Sequence, residues 1–181
     1  IFAMGLYGDF VRRLRGKSRN EREKELSQVK KKAESGDVES QFIVGAMYCR
    51  GNGVEISIES ALKWWRKAAR KGEASSQRGI GWMYENGIGV EQNDVEALQW
   101  YKMSARQGDA DSLFCLGVMC GDEECAFYNK EQSERYFRGA MKEYIKGAKL
   151  GDAEIESYGM FLKVRGKHLI IARSQSYRSK R

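Results

Sequence analysis

The chain has 181 residues, 41% of them hydrophobic and 31% charged, with 32 Lys and Arg against 25 Asp and Glu for a formal net charge of +7. That composition excludes a disordered chain and a membrane bundle, and the length suits one domain or one short repeat array. Twenty glycines beside no proline point to many short helices stopped by glycine caps.

Residues 1–32 carry ten Lys or Arg and four acids. The apolar opening Ile1–Tyr7 reads as a hydrophobic first turn packed on the body, with the end of an anchor or export signal as the alternative. Phe10, Val11 and Leu14, then Leu26 and Val29, draw a thin apolar stripe along one or two charged helices. A helical stack needs its open end covered, so 1–32 is expected to be a basic capping region. An acidic-lipid or nucleic-acid contact through Arg12, Arg13, Arg15, Lys17 and Arg19 is the subordinate reading.

From residue 33 a period of 36 organises the chain. Gly36, Gly72 and Gly108 mark it, and Gly45, Tyr48, Gly51 and Gly53 recur as Gly81, Tyr84, Gly87 and Gly89. Ala61-Leu62, Trp64-Trp65 and Ala69 recur as Ala97-Leu98, Trp100-Tyr101 and Ala105. Fifteen of the 36 aligned positions are identical, where about two are expected by chance. Each copy predicts two antiparallel helices. The glycine at offset nine (Gly45, Gly81, Gly117) sits inside the first helix at a cost of about 1 kcal/mol relative to Ala, so close approach of the partner helix is expected there. Gly51 and Gly87 suit left-handed caps, and Gly72, Gly108 and Gly151 suit the same role between copies. The strings Gly51-Asn52-Gly53 and Gly87-Ile88-Gly89 follow helices rather than strands, so they read as interhelical loops and not as phosphate cradles.

The third copy is looser. Counting back from Gly151 aligns Ala140-Met141, Tyr144 and Ala148 with Ala61-Leu62, Trp65 and Ala69, which predicts a seven-residue insertion between its helices around Asp122-Glu123-Glu124-Cys125. On that register Trp65, Tyr101 and Tyr144 are core, as are Tyr48 and Tyr84. A partial fourth copy opens at Asp152. Residues 163–181 hold seven bases and no acid and read as a basic tail or cap.

The run Gly81-Trp82-Met83-Tyr84-Glu85-Asn86-Gly87-Ile88-Gly89-Val90, followed by Ala97-Leu98-Gln99-Trp100-Tyr101 and closed by Gly108, resembles a Sel-one-like repeat, a relative of the tetratricopeptide repeat. The resemblance covers roughly residues 33–162. It implies an all-α fold, a right-handed α-solenoid of antiparallel helical hairpins with about three and a half repeats. It also implies a non-catalytic scaffold that binds a partner protein on the concave face, without a cofactor or small-molecule substrate. Some secreted relatives staple each repeat with a Cys pair; the first two copies lack one, so reduced thiols and a cytoplasmic location are expected.

First helices line the concave side of such a stack. The expected partner-binding residues are Gln41, Phe42, Arg78, Trp82, Glu85 and Phe114, with Trp82 as the anchor because Trp and Arg dominate interface energetics. Packing of Trp82 on the neighbouring repeat is the competing reading. The runner-up function is an immunity protein that masks a bacterial toxin with the acidic insertion as its plug. Catalysis is not expected. His168 is the only histidine, Cys120 and Cys125 lack a base, Asp109 and Asp111 sit at a helix start, and Asp122, Glu123 and Glu124 read as a solvated loop.

Overall fold

The computed structural model describes residues 6–148. Eight helices are present among them: α1 (Leu6–Leu14), α2 (Arg19–Glu34), α3 (Val38–Arg50), α4 (Ile58–Arg70), α5 (Ala74–Asn86), α6 (Asp94–Ala105), α7 (Ala110–Gly121) and α8 (Lys130–Ala148). No strand occurs among the described residues, in keeping with the all-α expectation. The chain forms two compact units that meet in sequence between Trp100 and Tyr101.

Helix starts are written in short polar side chains. The carboxylates of Asp37 and Asp109 accept the backbone N–H of Ser40 and Ser112, each at 2.9 Å, and Glu73 accepts those of Ser75 and Ser76. Each cap satisfies donors that the first turn leaves without intrahelical partners. Ser18 and Glu21 close α2 with a reciprocal capping box. Ser57, Asn93 and Asn129 cap α4, α6 and α8 by accepting the N–H three residues on. At the other end, Gly51 and Gly87 adopt the left-handed conformation, at φ 70° and 65°, where L side chains are strained.

In unit 1, α3 and α4 form the central hairpin, α1 and α2 both pack on α3, and α4 packs on α5. Residues Ser40 to Met47 of α3 are buried on every side of the helix. The core gathers Tyr7 and Phe10 from α1, Val29 and Ala33 from α2, and Phe42, Val44, Met47, Trp65, Ile80 and Met83 from α3 to α5. In unit 2, α7 and α8 form a second hairpin over Leu116, Met119, Cys120 and Ala140.

The third copy is not built as the backward count from Gly151 requires. Helices α4, α6 and α8 start at 58, 94 and 130, two intervals of 36. One loop-closing hydrogen bond recurs with the same interval: Ser57 N–H to Tyr48 O at 3.0 Å, Asn93 N–H to Tyr84 O at 2.9 Å, and Asn129 N–H to Cys120 O at 2.8 Å. The α7–α8 loop therefore has ordinary length, and the predicted insertion between the helices is absent. The extra residues extend α8, which runs for 19 residues against 13 in α4 and 12 in α6. The reason is local. Tyr144 stands where the 36-residue register puts the glycines Gly72 (φ +90°) and Gly108 (φ +83°). Without a residue that tolerates the left-handed conformation, the helix continues. Tyr144 is 37% exposed and donates a hydrogen bond to Asp111, so it is not the core aromatic of this copy. That place belongs to Phe137. Gly151 and the partial fourth copy, the tail 163–181 with His168, and residues 1–5 lie outside the described residues.

Candidate functional site

The first-helix surface is defined by what the repeat keeps for itself. A Cβ built on Gly45 falls 2.4 Å from Trp65 Cδ1, and one on Gly79 falls 2.9 Å from the opposite edge of the same indole. Trp65 of α4 thus wedges between α3 and α5. Its Nε1–H donates to Phe42 O at 3.1 Å, and its ring stacks on Phe42 with centroids 6.5 Å apart. In unit 2, a Cβ on Gly117 would meet the Phe137 ring at 2.8 Å. The offset-nine glycines Gly45 and Gly117 therefore exist to admit an aromatic ring from the second helix, which is the close approach their cost implied. Gly81 is buried at the same offset of α5.

Gln41 and Phe42 belong to this packing rather than to an open groove. Phe42 is 5% exposed, pinned by Trp65. Gln41 is 4% exposed, and its Nε2–H donates to Ala33 O at 3.1 Å, closing the C-terminus of α2. Gln77, 36 residues later, does the same to Ala69 O at 3.2 Å. The periodicity itself carried this signal: Gln41 and Gln77 are identical across copies, and a side chain repeated in register serves the repeat. Arg78 is 8% exposed and equally removed from solvent. Three of the six expected contact residues are thus buried, two of them on α3, which packs against α1, α2 and α4.

Two expected residues remain at the surface of unit 1. Trp82 is half-buried, its inner part packed on the unit-1 core, and Glu85 lies half-buried one turn further along α5. Trp82 therefore combines the packing contact of the competing reading with an exposed edge. In unit 2, Phe114 of α7 is half-buried and meets Phe137 edge-on, with ring centroids 5.4 Å apart.

A second surface feature escaped the sequence reading. An open cleft of about 560 Å³ is lined by Phe10, Val11, Leu14 and Arg15 of α1, Arg19, Arg22, Glu23 and Leu26 of α2, and Asn52 and Gly53 of the α3–α4 loop. Its apolar residues were legible as a stripe, but a stripe does not say whether the two helices close over it.

The chemistry available to the described residues is limited. No three His, Cys, Asp or Glu side chains among them are grouped to hold a metal ion. All four cysteines are free thiols. Burial pushes the Cys49 and Cys120 thiols above the ordinary range, which keeps them protonated and poorly nucleophilic at neutral pH. Burial, and then the hydrogen bond to Asp111, likewise raise the Tyr144 hydroxyl. No helix among the described residues is long and apolar enough to cross a membrane.

The Sel1 repeat family matches at residues 38–73 and 74–109, the two copies with intact glycine loops. A crystal structure of a Sel1 repeat protein from Oxalobacter formigenes is similar over 74% of this chain and 96% of its own, with 27% identity and a TM-score of 0.59. A protective antigen present in uropathogenic Escherichia coli strains, displaying an SLR fold, shares 35% identity over 65% of this chain with a TM-score of 0.62. The chain spans only 25% of that antigen's length. No curated protein matches the chain. The chain thus carries two tandem Sel1 repeats, at residues 38–73 and 74–109, on a helical-repeat fold shared with Sel1 repeat proteins.

Proposed function

We propose that the protein is a non-catalytic interaction scaffold, in which the repeats hold a rigid helical frame and residues outside the repeated set contact a partner protein. Sel1 repeats generally mediate protein–protein contact, which supports this class of function. The observation that carries it is the division of labour on α5. The repeated positions Gln77, Gly81 and Met83 are buried together with Arg78, whereas the non-repeated Trp82 and Glu85 are half-buried, on either side of the repeated Tyr84. A half-exposed Trp beside a carboxylate on a rigid helix fits the aromatic anchor of an interface. Phe114 is a separate candidate contact within unit 2.

The toxin-inhibitor alternative loses the feature that suggested it, because the α7–α8 loop carries no insertion. The test is site-specific photocrosslinking in the native host. A photoreactive residue in place of Glu85 is expected to capture a defined protein partner, and the same residue in place of Lys63, exposed on α4, is not. Equal capture from both positions, or from α4 alone, would refute the assignment of the α5 surface.

A further inference from the structure

We propose that the cleft between α1 and α2 is a second docking site, and that its occupant is an acidic amphipathic helix of a partner protein. The reasoning starts from the repeat register, which continues upstream of the matched copies. Subtracting 36 from Leu62, Trp65 and Ala69 gives Leu26, Val29 and Ala33 on α2, and α2 ends at Glu34 as α4 ends at Arg70. The same subtraction from Gly45 gives Asp9, and α1 ends at Leu14 as α3 ends at Arg50. Helices α1 and α2 thus occupy the places of a repeat hairpin without its aromatic lock, and Arg13 and Lys17 pair with Glu25 of α2 instead. Asp9 stands where a glycine admits the ring, and Val29 stands where the ring should be.

Val29 and Ala33 are buried in the unit-1 core, and the cleft opens nearer the α1–α2 turn, between the end of α1 and the first half of α2. The cleft floor is apolar, built from Phe10, Val11, Leu14 and Leu26. Its end is fixed by the α3–α4 loop: Asn52 donates to the Tyr7 hydroxyl, and a Cβ on Gly53 would fall 2.3 Å from Leu26 Cδ1. The volume of about 560 Å³ lies within the roughly 300–1,000 Å³ range of sites that enclose a ligand. Nine residues of α1 give a trough of about 13 Å, enough for two turns of a docked helix with apolar anchors at i, i+3, i+4 and i+7.

The rim decides the charge of the occupant. Arg15, Arg19 and Arg22 border the cleft against the single acid Glu23, which is paired with Arg19 at 2.9 Å. The Arg22 guanidinium is held in place by donating to Lys17 O at 3.0 Å. Carboxylates flanking the apolar anchors of the incoming helix would meet these arginines as charge-assisted hydrogen bonds. A flat lipid surface cannot fill a trough with an apolar floor, and a nucleic-acid duplex offers nothing apolar to put there. This site stands apart from the Trp82 surface and does not depend on it.

The test uses the full chain and a fluorescein-labelled helical peptide of about 14 residues, with leucines at i, i+3, i+4 and i+7 and glutamates elsewhere. Binding is read by fluorescence anisotropy, with methyl NMR shifts at Val11, Leu14 and Leu26 as the location signal. The expected result is saturable binding that Arg15→Glu with Arg22→Glu weakens about tenfold or more, at unchanged helicity by circular dichroism. Lys24→Glu, the same charge reversal on an exposed α2 residue outside the cleft, leaves binding intact. A lysine-for-glutamate peptide fails to bind, and Trp82→Ala has no effect. The proposal is overturned if the acidic peptide does not bind or ignores the arginine reversals. It is equally overturned if phosphatidylserine vesicles or duplex DNA, rather than the peptide, depend on those arginines, or if the cleft variants abolish self-association of the chain.

Discussion

Gly45→Ala sets two effects of opposite sign against each other, and the geometry decides between them. Glycine inside a helix costs about 1 kcal/mol relative to Ala, so propensity alone predicts stabilisation. The added Cβ, however, lies 2.4 Å from Trp65 Cδ1 and 2.5 Å from Nε1, where carbon atoms normally keep about 3.5–4.0 Å. The indole would have to retreat by more than about 1 Å. It has nowhere to go: Gly79 presses on its far edge, Phe42 stacks on its face, and its N–H is bonded to Phe42 O. Overpacking of about 1–3 kcal/mol, with a strained or lost hydrogen bond of about 1 kcal/mol, outweighs the propensity gain. The expected net loss is about 1–3 kcal/mol, measured by urea denaturation with far-UV circular dichroism. Gly139→Ala in α8 is the matched control, since its Cβ meets Leu113 at an ordinary 3.6 Å. That variant should gain up to about 1 kcal/mol. A Gly45→Ala protein as stable as its parent would refute the account of why these glycines recur.

Gln41→Ala removes one of the hydrogen bonds that close α2 at Ala33 O, which still accepts the Gly36 N–H, so a loss of about 0.5–1.5 kcal/mol is expected in the same denaturation assay. Asp37→Ala should cost about 1 kcal/mol as a lost helix cap. The hydrogen bonds from Ser40 hold the Asp37 carboxyl below its ordinary value. Its contribution is therefore present above the unfolded-state value and fades as pH falls through the lower folded value, so parent and variant should converge in stability in acid. The raised Cys49 and Cys120 thiols work in the opposite sense. Their burial favours folding below the unfolded thiol value and is lost as pH rises through the folded one. Native modification by a thiol reagent at neutral pH should be slow at both and become fast on addition of urea.

Much of the architecture was legible in the amino-acid order because a repeat tests itself. Fifteen coincidences at a spacing of 36 leave helix starts, glycine caps and the aromatic at offset 29 little freedom. Gly51 and Gly87 take the left-handed conformation expected of them, and Asp109 caps α7 as a helix-start acid should. The third copy was misread where that redundancy fails. Once Gly72 and Gly108 have no counterpart at Tyr144, glycine spacing no longer marks where the helix ends, and the forward register through Phe137 becomes the better guide.

The candidate contact residues were harder, and for a different reason. Periodicity tells which positions recur, but whether Gln41, Phe42 and Arg78 face solvent depends on how many helices surround α3 and α5, a property of packing in three dimensions. Whether α1 and α2 leave a cleft between them likewise turns on side chains meeting across space, such as Leu26 against the α3–α4 loop at Gly53. Local chemistry along the chain dictated where helices begin and stop, because caps and glycine act within a few residues. Which surfaces stay open for a partner was settled by contacts between residues far apart in sequence, which no spacing along the chain can report.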